Sequence, residues 1–585
     1  MRRVGSRHDV LSRPYLFASY EGALAQASTT GLTWHPTLNL PTQVTQPGLI
    51  TDLTYNAVGQ LIEVKQTDTT SHTVPFSTNG RTRIWAYTYG TGGTLTSVDG
   101  PLAGSGDTTS YTFTAQGFLK TTTNEVGQVT TVTAWNGDGR PTSVTAATGV
   151  VSNYAYDPRG RLTSIIVNPG SAQTVWTMTY TAAGDLATLV EPQGATTTLT
   201  YDADRRVTQI SNGLGETTTY TYNALGKVSS KVIKAADGTQ MFSETSTLDE
   251  LGRLIRQVGG EGRTWSFAYD RTSNLTSIKD PRAKTIGFGF DALNRLVTET
   301  ERDGGVVQHG YNGKDEETSY KDPRNLSTTY VRNGFGEVIQ ETSPDRGTTV
   351  YDYDARGLMI SKKDARNVTV SYSYDAAGRL TGRSYPTATL NETFAYDESA
   401  AGATGKGRLT TMKDAAGTSK FYYDAVGRVT GEVRTIGGYA HTVAYTYDAA
   451  GTGKLISMTY PSGRVITYNY DALGRVIYIG LKNSATATEQ QVVSWAGYFP
   501  FGTLRGLSFG NGLNMWSNKS EEYRLDGLFL DQASGGPSLI ERYHYIGDGW
   551  NLTVLNNDTI APAETQRFSY DDAGRRTVWG GLNHP

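Results

Sequence analysis

The sequence predicts an all-β protein, one long antiparallel sheet assembled from repeated hairpins. The first observation behind this is a seven-residue string that recurs in register. It reads YDAAGRL at 374–380 and YDALGRV at 470–476, with near-copies YDPRGRL at 156–162, YDAVGRV at 423–429 and YNALGKV at 222–228. Its first residues fall at 201, 222, 248, 269, 290, 311, 332, 353 and 374, mostly 21 apart, with one step of 26. A fixed period of this size marks stacked supersecondary units. The second observation is composition: 67 Gly and 36 Tyr among 585 residues, with Thr beside Tyr in TTTLTY (196–201) and TTTYTY (217–222). These are turn formers and strand formers. The third is that each period holds two turn signals, which is what a hairpin needs.

One period shows the logic. Asn212 to Gly215 is a turn cluster. Residues 216–222 alternate, with Tyr220 and Tyr222 on one face and Thr219 and Thr221 on the other. Asn223 to Gly226 is the second turn, where an Asp or Asn side chain bonds its own backbone and the Gly accepts positive φ. Lys227 to Lys231 begins the return strand. By the same reasoning Gly378 and Gly474 are expected at positive φ. Turns also recur at the opposite hairpin ends: Asp280-Pro281-Arg282, Asp322-Pro323-Arg324 and Asp364-Ala365-Arg366 lie 42 residues apart, two periods. Turn chemistry at both ends fixes strand register.

Aromatic pairs recur as well, at Tyr154/Tyr156, Phe267/Tyr269, Phe288/Phe290, Tyr372/Tyr374, Tyr445/Tyr447 and Tyr468/Tyr470. Cross-strand aromatic pairs contribute about 0.2–1 kcal/mol each. The expectation is a ladder of rings in place of a core, with Tyr374 packed against Tyr353 and Tyr396. Three zones follow: an irregular cap or degenerate repeat over 1–50, the array over 51–480, and modified late repeats over 481–585. The last zone holds GYFPFGTLRGLSFGNG at 497–512 and one more copy, YDDAGRR at 570–576. About twenty periods imply on the order of forty strands, and open twisted sheets rarely exceed about ten without curling. The chain is therefore expected to curl into a spiral or barrel-like wall.

Composition narrows the function. The net charge of -3 leaves no basic footprint for nucleic acid. No apolar run reaches the roughly 20 residues that span a bilayer. There is no cysteine, hence no disulfide or thiolate metal site. The first 28 residues lack the unbroken apolar stretch of a signal peptide and read as a degenerate unit.

The Tyr-Asp-x-x-Gly-Arg-Leu unit resembles the YD repeat of Rhs proteins, toxin-complex cocoon proteins and the teneurin shell, over roughly 51–576. The stretch ending in Phe509-Gly510-Asn511-Gly512 is similar to the late part of those arrays. The resemblance implies a long sheet spiralling into a hollow shell that commonly encloses a C-terminal toxin, cut free by a terminal core. That core carries an Asp-Pro-x-Gly motif after the last repeats. Here the motif occurs only as Asp157-Pro158-Arg159-Gly160, within an early repeat. The implied protein is thus a structural shell, secreted or at the cell surface, read as lacking toxin and cleavage core, whose toxin partner is encoded separately or lost. The alternative is an adhesin whose aromatic and Thr-rich faces bind carbohydrate or a surface protein.

No enzymatic site, cofactor or metal is expected. Gly506-Leu507-Ser508-Phe509-Gly510 matches the Gly-x-Ser-x-Gly elbow, but that motif needs a strand before it and a helix after it. Asp202, Asp270, Asp291, Asp354, Asp375, Asp424 and Asp471 recur at turns, so Asx-turn bonding accounts for them better than catalytic pairing. No ligand loop has calcium spacing. His8, His35, His72, His309, His441, His544 and His584 lie too far apart for a metal motif and read as isolated wall or surface positions. Gly405-Lys406 and Gly453-Lys454 lack the rest of a phosphate-binding loop, and Asp315-Glu316-Glu317 reads as a solvated loop.

Overall fold

Short strands between strong turns leave a chain little choice but to pair with its own neighbours. The computed structural model describes residues 30–104, 106–168, 173–400 and 403–532, together with the strands Glu541–Gly547, Leu552–Asn557, Glu564–Tyr570 and Arg576–Gly580. Among these residues 48 strands form one sheet. Consecutive strands pair antiparallel, as Thr196–Tyr201 with Val207–Asn212, that strand with Thr217–Tyr222, and that with Val228–Lys234. One detour occurs: Glu392–Tyr396 pairs with Leu409–Asp414, around a small ribbon of Ser399–Ala400 with Ala403–Thr404. A single 3-10 turn, Ala388–Leu390, is the only helical element described. None of these elements could cross a membrane as a helix.

Of the two readings of the first zone, the strands match a degenerate repeat: Gly31–Trp34 pairs with Pro41–Gln46, which pairs with Leu49–Tyr55. Their alternating Thr, Val and Leu pair as any other unit does. Residues 1–29 and 571–575, which include most of the last YDDAGRR copy, lie outside the described residues. No break falls at 480, where Val476–Lys482 pairs with Gln490–Tyr498.

The recurrent turn is built the same way in most units, with longer loops after Asp397 and Asp448. In 374–380 the amide of Asp375 donates to the Arg379 carbonyl, and that of Gly378 to the Asp375 carbonyl, each at 3.0 Å. The register slips by one residue between Ser373 and Tyr374. This is a tight turn followed by a bulge whose extra residue needs positive φ. Gly378 and Gly474 supply it at φ 75 and 76, as expected. Arg205, Ser273, Asn294 and Asp315 occupy equivalent places at φ 60 to 70.

The aromatic ladder takes a different form from the expected ring-on-ring stack. The rings alternate with guanidinium groups. Arg206 lies 4.8 Å from the ring centroid of Tyr222, Arg253 4.8 Å from Tyr269, Arg379 4.5 Å from Tyr396 and Arg428 4.4 Å from Tyr447. Each pair joins the arginine of one unit to the tyrosine of the next. Rings one period apart cannot touch while the wider guanidinium fills the space, and a cation over a ring contributes about 0.5–1 kcal/mol at such half-exposed sites.

The wall is one layer thick. Side chains opposite the tyrosines are exposed Thr and Ser that pair across strands, as Thr179 with Thr188 at 2.6 Å and Thr221 with Ser229 at 3.1 Å. Among the described residues only ten apolar ones are buried, Ile339 and Phe499 among them. The accessible surface is 32776 Å², against roughly 20,000 Å² for a compact chain of this mass.

The sheet coils. Hydrogen bonds reconnect residues 254 to 285 positions apart, from Arg83–Glu337 to Phe501–Glu216. One turn therefore takes about 24 strands, and at about 4.8 Å per strand a circular section would be on the order of 40 Å across. The result is a hollow shell whose successive turns meet at a seam.

Gly378→Val places a β-branched residue at φ 75, with Leu358 Cδ1 already 3.4 Å from the added carbon. It should cost more than about 1 kcal/mol in chemical denaturation. Asn294→Gly, at the equivalent position, should cost little. Equal midpoints for Gly378→Val and wild type would contradict the turn.

Candidate functional site

Each repeated unit first locks itself and then locks to the unit before it. The carboxylate of Asp471 accepts the amides of Leu473 and Arg475 at 2.9 Å with one oxygen, and Arg475 Nε at 2.7 Å with the other. Asp202 and Asp291 repeat this geometry with Arg206 and Arg295. Asp270, Asp354, Asp375 and Asp424 also cap amides within their own turns, the Asx-turn role read from the sequence. The tyrosine hydroxyl then donates to a carbonyl one unit back. Tyr222 reaches Val207, Tyr353 Val338, Tyr374 Met359 and Tyr470 Leu455, each across 15 residues. The acceptor is the last residue of the seven-residue string, which bonds through its backbone, so Leu, Val and Met serve alike. Arg332 stands where a tyrosine is expected and donates Nε to the Glu317 carbonyl at 2.8 Å instead.

In some of these turns the bonds favour the ionised carboxylate. The side chain of Arg206, then its amide, hold Asp202 below the usual carboxylate range. The amides of Arg161 and Arg253 do most to lower Asp157 and Asp249, against partial desolvation. Asp157 thus belongs to an ordinary turn, and its Asp-Pro-x-Gly string has no special geometry.

The seam is where the wall meets itself, and it is made by side chains. Arg83 pairs with Glu337 at 2.6 Å, both half-buried, while its guanidinium lies 4.0 Å from the Phe335 ring centroid. Arg81 pairs with Asp352 at 2.7 Å. The fully buried Asp68 accepts the Gly334 amide at 2.7 Å. A Cβ on Gly334 would sit 2.2 Å from the Gly48 carbonyl, so only glycine permits this approach. Further along, Gln128 bonds Asp397 and Thr174 bonds the Gly451 carbonyl. Glu216 accepts the Phe501 amide, and Glu521 accepts from Gln240 and Ser243. The seam tightens near Phe499, whose ring meets Tyr523 edge-on while Phe242 of the earlier turn stacks on Tyr523 at 5.9 Å. Burial, then the nearby Glu216, pushes the Tyr523 hydroxyl up to about 12. The described contacts across the seam include one isolated backbone bridge, Phe242 with Glu522, and no strand ladder.

Ser508 lies inside the strand Leu504–Phe509 and pairs with Trp495 and Asn514, so no strand–turn–helix elbow forms around it. His309 Nδ1 is 2.7 Å from Glu317, which begins a strand rather than lying in a solvated loop; only Asp315 of that acidic run is well exposed. His35 takes the Leu38 amide, His72 meets Thr78, and His441 sits on an exposed strand. His8 and His584 lie outside the described residues, and His544 is placed only as part of a strand. Lys454 acts as the arginine of its unit, 5.6 Å from the Tyr470 ring centroid, and Lys406 sits in the turn before Arg408. Among the described residues no three His, Asp or Glu converge as metal ligands. The seam residues Arg81, Arg83, Glu337 and Glu521 were not foreseen. Their only signal was a departure from the period, as in Arg332-Asn333-Gly334-Phe335-Gly336.

Comparison with known proteins agrees with this geometry. The teneurin YD-shell profile matches residues 215–401, and the RHS repeat profile matches 135–173, 180–217 and 451–484. No curated protein sequence matches the chain. Among solved structures, the TcdB2-TccC3 crystal structure is similar at a TM-score of 0.68 and 13% identity, covering 94% of this chain and 38% of that one. TcdB2-TccC3 without its hypervariable C-terminal region gives 0.71 at 12% identity, over 94% and 39%. The Tc holotoxin pore of Photorhabdus luminescens, with a TccC3 mutation, gives 0.71 at 12% identity, over 95% and 42%. The chain thus spans about two fifths of these structures' length, and at such identity the likeness is one of fold.

The carboxylates fix the sign of an acid response. Burial opposes ionisation of Asp68, but hydrogen bonds from Thr70, the Gly334 amide and Thr78 outweigh it and hold the group below its ordinary value. Arg379 and the Gly407 amide do the same for Asp397. A lowered folded value means stability present above the unfolded value, about pH 4, and lost as pH falls through the folded one. Denaturation midpoints should therefore be flat near neutrality and fall steadily below about pH 5. A midpoint unchanged at pH 3 would contradict the turn and seam assignments.

Proposed function

Because the chain belongs to the Rhs/YD-repeat family, we propose that its YD-repeat shell encloses or presents another polypeptide, a toxin in the related polymorphic systems, supplied from outside these 585 residues. One observation carries this reading. The wall returns on itself after 254 to 285 residues while staying one layer thick, so the described residues do not fill the inside of the coil with a core. A wall wet on both faces is poorly justified by its own stability. It makes physical sense around a guest, whose unfolded or partly folded segments it would keep from solvent and protease. The chain acts outside the producing cell or at its surface, and works as a structural part without catalysis or self-cleavage.

A second reading has its own observation. Trp495 and Trp516 are 51% and 38% exposed on a wall face otherwise dominated by Thr and Ser, which suits an adhesin that stacks carbohydrate or grips a surface protein.

Co-expression of the chain with the reading frames that flank its gene separates the two. The shell reading expects a co-purifying polypeptide that resists protease until the shell is denatured, and a shell whose intact mass is unchanged over days, with Ser508→Ala behaving as wild type. A guest digested as fast as it is when free, or cleavage abolished by Ser508→Ala, would contradict it. Saturable glycan binding lost in Trp495→Ala and Trp516→Ala, without any guest, would favour the adhesin.

A further inference from the structure

Along most of the seam a carboxylate of one turn meets a cation or an amide of the other: Glu337 meets Arg83, Asp352 meets Arg81, Asp68 meets the Gly334 amide and Asp397 meets Gln128. One stretch breaks the rule. Near these contacts, where the same two turns face each other, lies a cavity of 330 Å³, large enough for a small ligand. One turn lines it with Trp85, Val98, Asp107 and Glu125, and the other with Arg356 and Leu358, beside the turn 376–378. Asp107 is 8% exposed. Its Oδ2 accepts the Leu102 amide at 3.1 Å, and its Oδ1 has no hydrogen-bond partner. Glu125 accepts the Thr109 hydroxyl at 2.6 Å. The one cation present is committed elsewhere: Arg356 pairs with Asp354 and donates to the carbonyls of Asp375 and Ala376. The cavity therefore holds two carboxylates, one nearly buried and half-satisfied, with no cation assigned to them. A buried carboxylate is costly until a counter-charge arrives.

We propose that this cavity binds an alkylammonium group, the side chain of a polypeptide lysine or a free polyamine. Asp107 and Glu125 supply the charge, Trp85 a ring face that attracts cations, and Val98 and Leu358 the apolar wall along which a methylene stem lies. A metal ion is a poorer fit, because the described residues gather no third carboxylate or imidazole there. The bound ammonium would tie the two turns together at the place where they share no pairing of their own. The inference goes beyond the enclosure reading and does not depend on it.

The test titrates the whole 585-residue protein with spermidine and, separately, with an acetylated and amidated Gly-Lys-Gly peptide, read by calorimetry and tryptophan fluorescence. Saturable binding of at least one is expected, at least tenfold weaker in Asp107→Asn and in Glu125→Gln, each checked for a wild-type thermal midpoint. Peptide binding alone would point to a polypeptide lysine, and spermidine binding alone to a polyamine. Should Asp107→Asn fold poorly, Glu125→Gln alone decides. No saturable binding, binding unchanged in Glu125→Gln, or equal competition by calcium at the same concentration would overturn the proposal.

Discussion

A hydrogen bond from a tyrosine hydroxyl to a backbone carbonyl of the preceding unit, most often 15 residues earlier, holds the wall together. Each such bond is modest, about 0.5–1.5 kcal/mol net. It depends on what lies at both of its ends. The acceptor sits just past a turn whose aspartate caps the amides and clamps the arginine, as Asp471 clamps Arg475. The donor ring lies under that arginine, as Tyr498 lies under Arg475 at 4.7 Å. Turn, cation and ring make one device, and its repetition explains a period near 21. Altering one part moves the others, because the arginine is shared between its own aspartate and the next tyrosine.

A wall built this way substitutes for a core. Ordinary domains gather apolar side chains on a common interior, whereas here only ten of the described apolar residues are buried. Stability comes from nearest-neighbour terms summed along the array. Coiling adds the seam, and the seam has a different character. It relies on charges, amides and one aromatic knot at Phe499, Tyr523 and Phe242, with no strand ladder among the described residues. Strand pairing within a turn is accordingly less sensitive to salt than contact between turns, where Arg83–Glu337 and Arg81–Asp352 do much of the joining.

Much of this was legible before any coordinates. The in-register YDAAGRL copies, Gly378 at positive φ and the Asx role of Asp375 follow from local chemistry, and local chemistry is what a repeat exposes. The tyrosine ladder was misread because period alone shows that rings recur, not what fills the space between them. The arginine of YDAAGRL stood in plain view, but its reach to Tyr396 is a distance, and sequence carries none. The seam was not legible either. Its partners lie some 270 residues apart, so no local pattern joins Asp68 to Gly334. Residues 31–50 lack the Tyr-Asp string, so the sequence leaves open an irregular cap or a degenerate repeat, and their strands pair through backbone like any other unit.

The central claim is a single-layer wall coiled around unfilled space. Small-angle X-ray scattering of the purified chain tests it most directly. A hollow shell predicts a radius of gyration clearly above the roughly 25 Å of a compact chain of this length, with a pair-distance distribution skewed toward long vectors and a maximum set by the shell's width. A radius near that compact value, or the decaying distribution of a flat or filamentous array, would contradict it.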